Sequence, residues 1–92
     1  MRILYLTLKK EWFDMIEAGI KTEEYRDIKQ YWEKRLKIGH WFDAVHFRNG
    51  YSKTARTMMF KCNGIFKGRG VMAWGAPDKE VFIIKLGNRI KP

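Results

Sequence analysis

The hydrophobic period of this chain switches from two to 3.6 and back, and those switches limit the fold more than any single residue does. Ile3 to Leu8 sets Leu4, Leu6 and Leu8 against Ile3, Tyr5 and Thr7, which reads as a strand buried substantially on both faces. Residues 9–18 move to helical spacing. Trp12, Met15 and Ile16 fall on one side, Lys10, Asp14 and Glu17 on the other, and Gly19 stands where a left-handed cap belongs. Lys21 to Arg26 has too few apolar residues for a helix of its own and reads as a short strand or extended segment. Helical spacing returns over 28–37 through Ile28, Tyr31, Trp32 and Leu36. Asp27 and Gln30 resemble a capping box, Lys34, Arg35 and Lys37 suit the C-terminal dipole, and Gly39 stops the helix. Three alternating runs follow, Asp43 to Arg48, Thr57 to Ile65 and Glu80 to Leu86. Asn49-Gly50 and Asn63-Gly64 are turn or bulge signals, and Gly75-Ala76-Pro77-Asp78 is a loop that breaks the sheet. Five or six short strands with both helices in the N-terminal half predict an α+β domain, a curled sheet or small β-barrel with the helices at its side or end.

With 92 residues the chain has room for one core and one pocket, and no repeat or linker suggests a second domain, so residues 1–92 are expected to form one unit. Fourteen aromatic residues and 46% hydrophobic content exclude a disordered tail. Cys62 is the single cysteine, and His40 and His46 are the two histidines. That inventory makes no intrachain disulfide and no zinc pattern, and it suits a reducing, cytoplasmic setting. The apolar run at the N-terminus spans about six residues before Lys9 and Lys10, too short for a signal-peptide core or a membrane span. The expectation is a cytoplasmic monomer with no membrane, metal or cofactor.

Charge divides the chain unevenly. Residues 1–47 carry nine bases against eight acids, whereas residues 48–92 carry ten bases against Asp78 and Glu80 alone. From Ala44 to Pro77 there is no acid, while Arg48, Lys53, Arg56, Lys61, Lys67 and Arg69 recur. Two readings stand: a polyanion site, which such a field would serve, and a solvated basic face kept for solubility.

Common enzyme signatures are missing. Gly68-Arg69-Gly70-Val71-Met72-Ala73 spells the dinucleotide fingerprint, but nothing after it supplies the βαβ unit or the acid that fingerprint needs, so the glycines read as a turn or bulge that lets a basic strand pair bend. No Walker motif, G-x-S-x-G elbow or H-E-x-x-H occurs. Cys62 lies in an alternating apolar run, as a core thiol does, and His46 belongs on a sheet face.

Gly19-Ile20-Lys21-Thr22-Glu23-Glu24-Tyr25-Arg26 is the segment that asks for a reason. It places an ammonium, two carboxylates, a hydroxyl and a guanidinium in six residues after a glycine turn. On an extended chain Glu24 and Arg26 share a face, where they can pair and aim the guanidinium at a phosphate or base edge. Lys21, at the turn, can reach across the same mouth. An exposed ion-pair ladder with no function, worth under about 1 kcal/mol, is the plainer alternative.

As G-x-K-x-x-E-x-R, following a strand and an amphipathic helix, these residues resemble the ASCH family, a branch of the PUA-like superfamily. The Val45, Phe47, Asn49, Gly50, Tyr51 run, the basic strand and Trp74-Gly75-Ala76-Pro77 are compatible with it. The resemblance implies a small PUA-like β-barrel flanked by helices, with the motif lining a cleft for RNA or a nucleoside. Lys21, Glu24, Arg26, Arg48, Asn49 and Lys53 would contact the ligand, and Tyr25, Tyr51 and Trp74 are candidates for stacking on a base. Small bacterial relatives of this fold deacylate cytidine acetylated on its exocyclic amine, using the motif lysine and a threonine three positions on. Glu24 occupies that threonine's place here and Thr22 is the only nearby hydroxyl; a water-based version would use Glu24 as general base with Lys21 or Arg26 polarising the amide oxygen. A protein-interaction module is the third class of reading.

Overall fold

The computed structural model describes residues 1–37 and 41–90. Its elements run β1 (Ile3–Leu8), α1 (Lys10–Glu17), β2 (Glu23–Arg26), α2 (Gln30–Arg35), β3 (Ala44–Asn49), β4 (Thr57–Arg69), a 3-10 turn (Met72–Trp74) and β5 (Glu80–Ile90). The strands form a single five-stranded sheet in the order β1-β3-β4-β5-β2. Pairing of β1 with β3 is parallel, which demands a long crossover, and residues 9–43 provide it through α1, β2 and α2. All other pairings are antiparallel. The chain therefore travels from one edge of the sheet, β1, to the other, β2, before returning to its middle.

Those two edges meet because the sheet curls into a half-barrel. Arg26 on β2 donates from Nη2 to the Thr7 carbonyl of β1 at 3.4 Å, bridging the open seam. Part of the curl comes from an irregularity in the β4–β5 pair. The register shifts between Phe60 and Cys62 and again between Cys62 and Ile65, around Asn63-Gly64, where Gly64 adopts φ 118°. The bulge expected at that dipeptide is thus present.

The core fills the concave side. Leu4, Leu6 and Leu8 of β1, Val45 and Phe47 of β3, Met58 and Phe60 of β4, and Phe82 and Ile84 of β5 pack with Phe13 and Ile16 of α1 and with Leu36. A smaller cluster of Tyr25, Ala76, Val81 and Ile83, with Trp74 against it, supports the loop after β4. Gly70 belongs to this packing: a Cβ there would sit 2.4 Å from the Tyr25 ring and 2.7 Å from the Ala76 methyl. Its glycine serves close approach rather than a turn, and Gly68 lies in regular register opposite Val81.

Three local expectations need correction. β1 is buried on one face only: Leu4, Leu6 and Leu8 face the core, while Tyr5, 68% exposed, lies beside His46 on the outer face, where no buried cluster packs over it among the described residues. In α1 it is Phe13 and Ile16 that reach the core, while Trp12 is half-buried at the helix side. The Asp27–Gln30 capping box does not form. Lys29 is the N-cap, without a side-chain cap, and Asp27 instead lies 3.5 Å from Lys79. Gly19 does take the left-handed conformation, φ 79°, at the end of α1. Gly39 and His40 fall outside the described residues. Among the described residues no helix is long and apolar enough to cross a membrane.

Candidate functional site

A cavity of about 520 Å³ occupies the seam between the two edge strands. Thr7 and Leu8 of β1, Trp12 of α1, Lys21, and Glu24, Tyr25 and Arg26 of β2 form its floor and sides; Lys9, Gly50, Tyr51, Trp74 and Gly75 complete it. Its position follows from topology. The half-barrel leaves its two edges unpaired toward each other, and the residues facing that gap have no strand to cover them.

At the floor is a buried charge triad. Glu24 accepts from both neighbours, with Oε1 3.2 Å from Lys21 Nζ and Oε2 2.9 Å from Arg26 Nη2. The Lys21 side chain is 1% exposed and that of Glu24 7%, so the exposed-ladder reading is overturned. Period two explains the arrangement on β2, since Glu24 and Arg26 lie two residues apart and share a face. Lys21 reaches the same carboxylate because the chain turns at Gly19, where two main-chain bonds hold it: Ile20 and Lys21 donate to the Met15 carbonyl at 3.0 and 3.1 Å. Lys21 also donates to the Trp74 carbonyl at 2.6 Å, which fastens the loop after β4 to the motif.

Aromatic rings flank the ammonium. Lys21 Nζ lies 4.4 Å from the centroid of Tyr25 and 5.6 Å from that of Trp12. Tyr25 is held in place by its hydroxyl, which donates to Glu23 at 2.8 Å and accepts from the Val71 N–H at 3.0 Å. Arg26 rests against Trp32, its guanidinium 5.2 Å from the ring. Its Nε is buried without a partner among the described residues, so the guanidinium is held by Nη2 alone and keeps donor capacity.

Burial pulls the Lys21 pKa below the usual lysine range, because desolvation disfavours the ammonium more than Glu24 restores it. The Tyr25 phenol is pushed from 10 up to about 12, first by desolvation and then by the Glu23 carboxylate it bonds. Cys62, half-buried against the core, has its thiol pushed up by the same loss of solvent, the opposite of what a nucleophile needs.

Of the residues singled out in the sequence, Lys21, Glu24, Tyr25, Arg26, Tyr51 and Trp74 converge on this cavity. Arg48, Asn49 and Lys53 do not line it. Arg48 binds the carbonyls of Gly50, Tyr51 and Ser52 and so braces the loop that carries Tyr51. The Asn49 N–H continues the strand ladder to Arg56, and Lys53 is exposed farther along the same loop. Trp12, Thr7 and Lys9 were not anticipated. A signal for Trp12 existed: Trp12, Phe13, Met15 and Ile16 make an apolar arc too wide for one contact, so one of them must face elsewhere. His46 packs beside Tyr5 on the outer face, with ring centroids 5.2 Å apart.

The uneven charge of the two halves is partly matched in space. Arg56 pairs with Glu17, Lys67 with Glu33 at 3.1 Å and Lys79 with Asp27 at 3.5 Å, each joining a late base to an early acid. Among the described residues no cluster of three or more His, Cys, Asp or Glu is placed to hold a metal ion. Compared with known protein families, with curated proteins and with solved structures, the chain finds no match in any of the three.

Proposed function

We propose that the chain is an ASCH-like domain of PUA-like type that binds RNA or a modified nucleoside in the seam cavity. The observation that carries this reading is the triad itself: two cations and one anion, nearly dry, at the floor of an aromatic-walled cavity. A carboxylate that orients a guanidinium leaves its remaining donors in a fixed direction, which suits a base carbonyl or a phosphate. Trp12, Tyr25 and Trp74 provide flat apolar walls, and Tyr51 stands 88% exposed at the mouth as a free ring face. About 520 Å³ lies within the range of roughly 300–1,000 Å³ usual for small-molecule sites. The net excess of one positive charge at the floor, reinforced by Lys9 at the mouth, favours an anionic ligand.

Titration of the intrinsic tryptophan fluorescence with cytidine monophosphate and with short RNA tests this. Arg26→Ala should weaken binding by about tenfold or more, the loss of one charge-assisted contact. For RNA the logarithm of affinity should fall with the logarithm of salt at a slope of roughly −3 to −4 if four to six phosphates are contacted. Absence of binding to either probe, or an affinity indifferent to salt, rejects the proposal.

One observation favours hydrolysis as a second reading: Lys21, with a depressed pKa, sits beside a carboxylate inside a cavity, an arrangement frequent in active sites. Water would add to the acyl carbon of N4-acetylcytidine as the amide C–N bond breaks, giving acetate and cytidine. Both Glu24 oxygens are engaged by cations, so neither is free to face a water, and Thr22 is exposed rather than in the cavity. Binding therefore ranks first. Acetate release from N4-acetylcytidine that disappears in Lys21→Ala would reverse the order.

A further inference from the structure

The seam cavity does not end at Arg26. It shares Thr7, Arg26 and Tyr51 with a second hollow of about 310 Å³, and that hollow shares Tyr5, Tyr31 and Trp32 with a third of about 380 Å³. Together they form a groove between the outer edge of β1 and α2, running back along β1 from Thr7 to Arg2. We propose that this groove is a track for single-stranded polynucleotide, so that the seam cavity takes one nucleotide of a strand whose neighbours lie along β1. The proposal rests on reading the cavity as a nucleotide site and extends it from nucleoside to strand.

Three guanidinium–aromatic pairs are spaced along the groove. Arg26 lies 5.2 Å from the Trp32 ring, Arg35 4.3 Å from Tyr31 and Arg2 5.1 Å from Phe42. All six of these residues line the groove. A guanidinium within cation–π range of a ring keeps N–H donors for phosphate beside an aromatic surface for a base, the combination used to bind single strands without strict sequence preference. Tyr31 remains 54% exposed, so a ring face stays open. Charge complementarity selects the occupant. Lys34 adds a fourth cation, and among the described residues no acid lines either of the two hollows beyond the seam cavity. Glu33, the acid of α2, is drawn off to Lys67. Ile3 to Thr7 spans about 13 Å at roughly 3.3 Å per residue. That accommodates about four nucleotides stacked at roughly 3.4 Å, or fewer when splayed.

The test compares cytidine monophosphate with cytidine hexamers of RNA and of DNA, in the intact protein and in the double variant Tyr31→Ala/Arg35→Ala, with folding checked by thermal melting. A track predicts that at least one hexamer binds about 30-fold or more tighter than the mononucleotide, as two or more further stacked bases would give. The double variant should lose most of that gain and leave mononucleotide affinity within about twofold; its salt slope should shrink by about 0.7, one phosphate contact. The RNA and DNA arms identify which strand the track prefers. Mononucleotide binding without any gain for either hexamer overturns the track and leaves the cavity reading intact. The same holds if the double variant weakens mononucleotide and hexamer alike, or if a hexaglutamate peptide occupies the groove in place of the hexamers. Failure of all the nucleotide probes removes the cavity reading and the track together.

Discussion

At the scale of single residues the triad is an arrangement in which removing one partner costs more than removing two. Glu24→Gln would leave the Lys21 ammonium nearly dry, facing Arg26 with no anion between them. Stability should fall by about 3–5 kcal/mol, the usual consequence of breaking a buried pair. Lys21→Met/Glu24→Gln replaces the pair by neutral groups of similar length and should recover most of that loss, although it abolishes the site. Urea unfolding of the four members of this cycle measures the coupling, and additive losses would mean that the two side chains do not share a dry environment. Tyr25 allows a pH test. Its phenol is raised in the folded state from 10 to about 12, so the folded state holds the proton more tightly, and that stabilisation is complete below pH 10 and lost as pH rises through 12. Lys21 acts oppositely: its lowered folded value means stability rises with pH within the window below its ordinary 10.5. Tyr25→Phe should cost about 1–2 kcal/mol at neutral pH, since the Val71 N–H loses its acceptor. It should also remove the fall in melting temperature between pH 10 and 12, and an unchanged alkaline limb would show that Tyr25 does not titrate as described. The sequence made the chemistry of this site legible, because Glu24 and Arg26 at period two had to share a face. Its dryness was not legible. Burial comes from Trp12 and Trp74, which are 62 positions apart and brought together only by the curl of the sheet.

Among the elements, α2 is the least self-sufficient. It has six residues, none of them buried, and no side-chain cap at its N-terminus. Such a helix is not stable through its own propensity. It is held by the flanking Leu36, fully buried at its end, and Ile28, with its own Trp32 half-buried against the core. Leu36→Ala should therefore cost about 2–5 kcal/mol and loosen α2 together with the groove wall. Tyr31→Ala, on the exposed face, should cost no more than about 1 kcal/mol, the value of its aromatic and cation contacts. Hydrogen exchange resolved by residue distinguishes these outcomes, and equal losses would place the anchor of α2 elsewhere. Ile28, Tyr31, Trp32 and Leu36 were readable at i, i+3, i+4 and i+8, but the helix is shorter than 28–37: Ile28 and Leu36 lie outside Gln30–Arg35, and Leu36 is the buried anchor. The start of the helix was not readable, because Asp27 is drawn to Lys79 on the loop leading into β5, a partner 52 positions away. The alternating runs anticipated β3, β4 and β5, although β4 and β5 each run four residues farther, to Arg69 and Ile90, and β1 was read as covered on both faces. Alternation reports which residues are apolar. Which face is covered is decided by tertiary packing: Glu24 and Tyr25 of β2, the other edge strand, are buried on opposite faces, whereas Tyr5 on the outer face of β1 lies beside His46 in solvent.

For the whole molecule the governing quantity is a net charge of +9 on 92 residues. Pairs such as Arg56–Glu17, Lys67–Glu33 and Lys79–Asp27 join the acid-bearing half to the base-bearing half, so the field is less one-sided in space than along the chain. They are surface pairs, each worth about 1 kcal/mol or less. They cannot offset the mutual repulsion of nineteen bases facing ten acids. Added salt screens both contributions. Raising ionic strength from about 0.01 to 1 M shortens the screening length from roughly 30 to 3 Å, which acts on long-range repulsion before it acts on pairs in contact. The protein should therefore melt higher in sodium chloride than in dilute buffer, by about 4–8 °C for each kcal/mol of repulsion removed in a domain of this size. Lys37→Gln/Lys61→Gln provides the control, because both lysines are exposed and lie outside the cavity and the groove. It lowers the charge to +7 without disturbing any of the ion pairs named above. The variant should melt higher than the parent in dilute buffer, and the two should converge at high salt. A parent protein that melts lower as salt is added would mean that the ion pairs outweigh the repulsion.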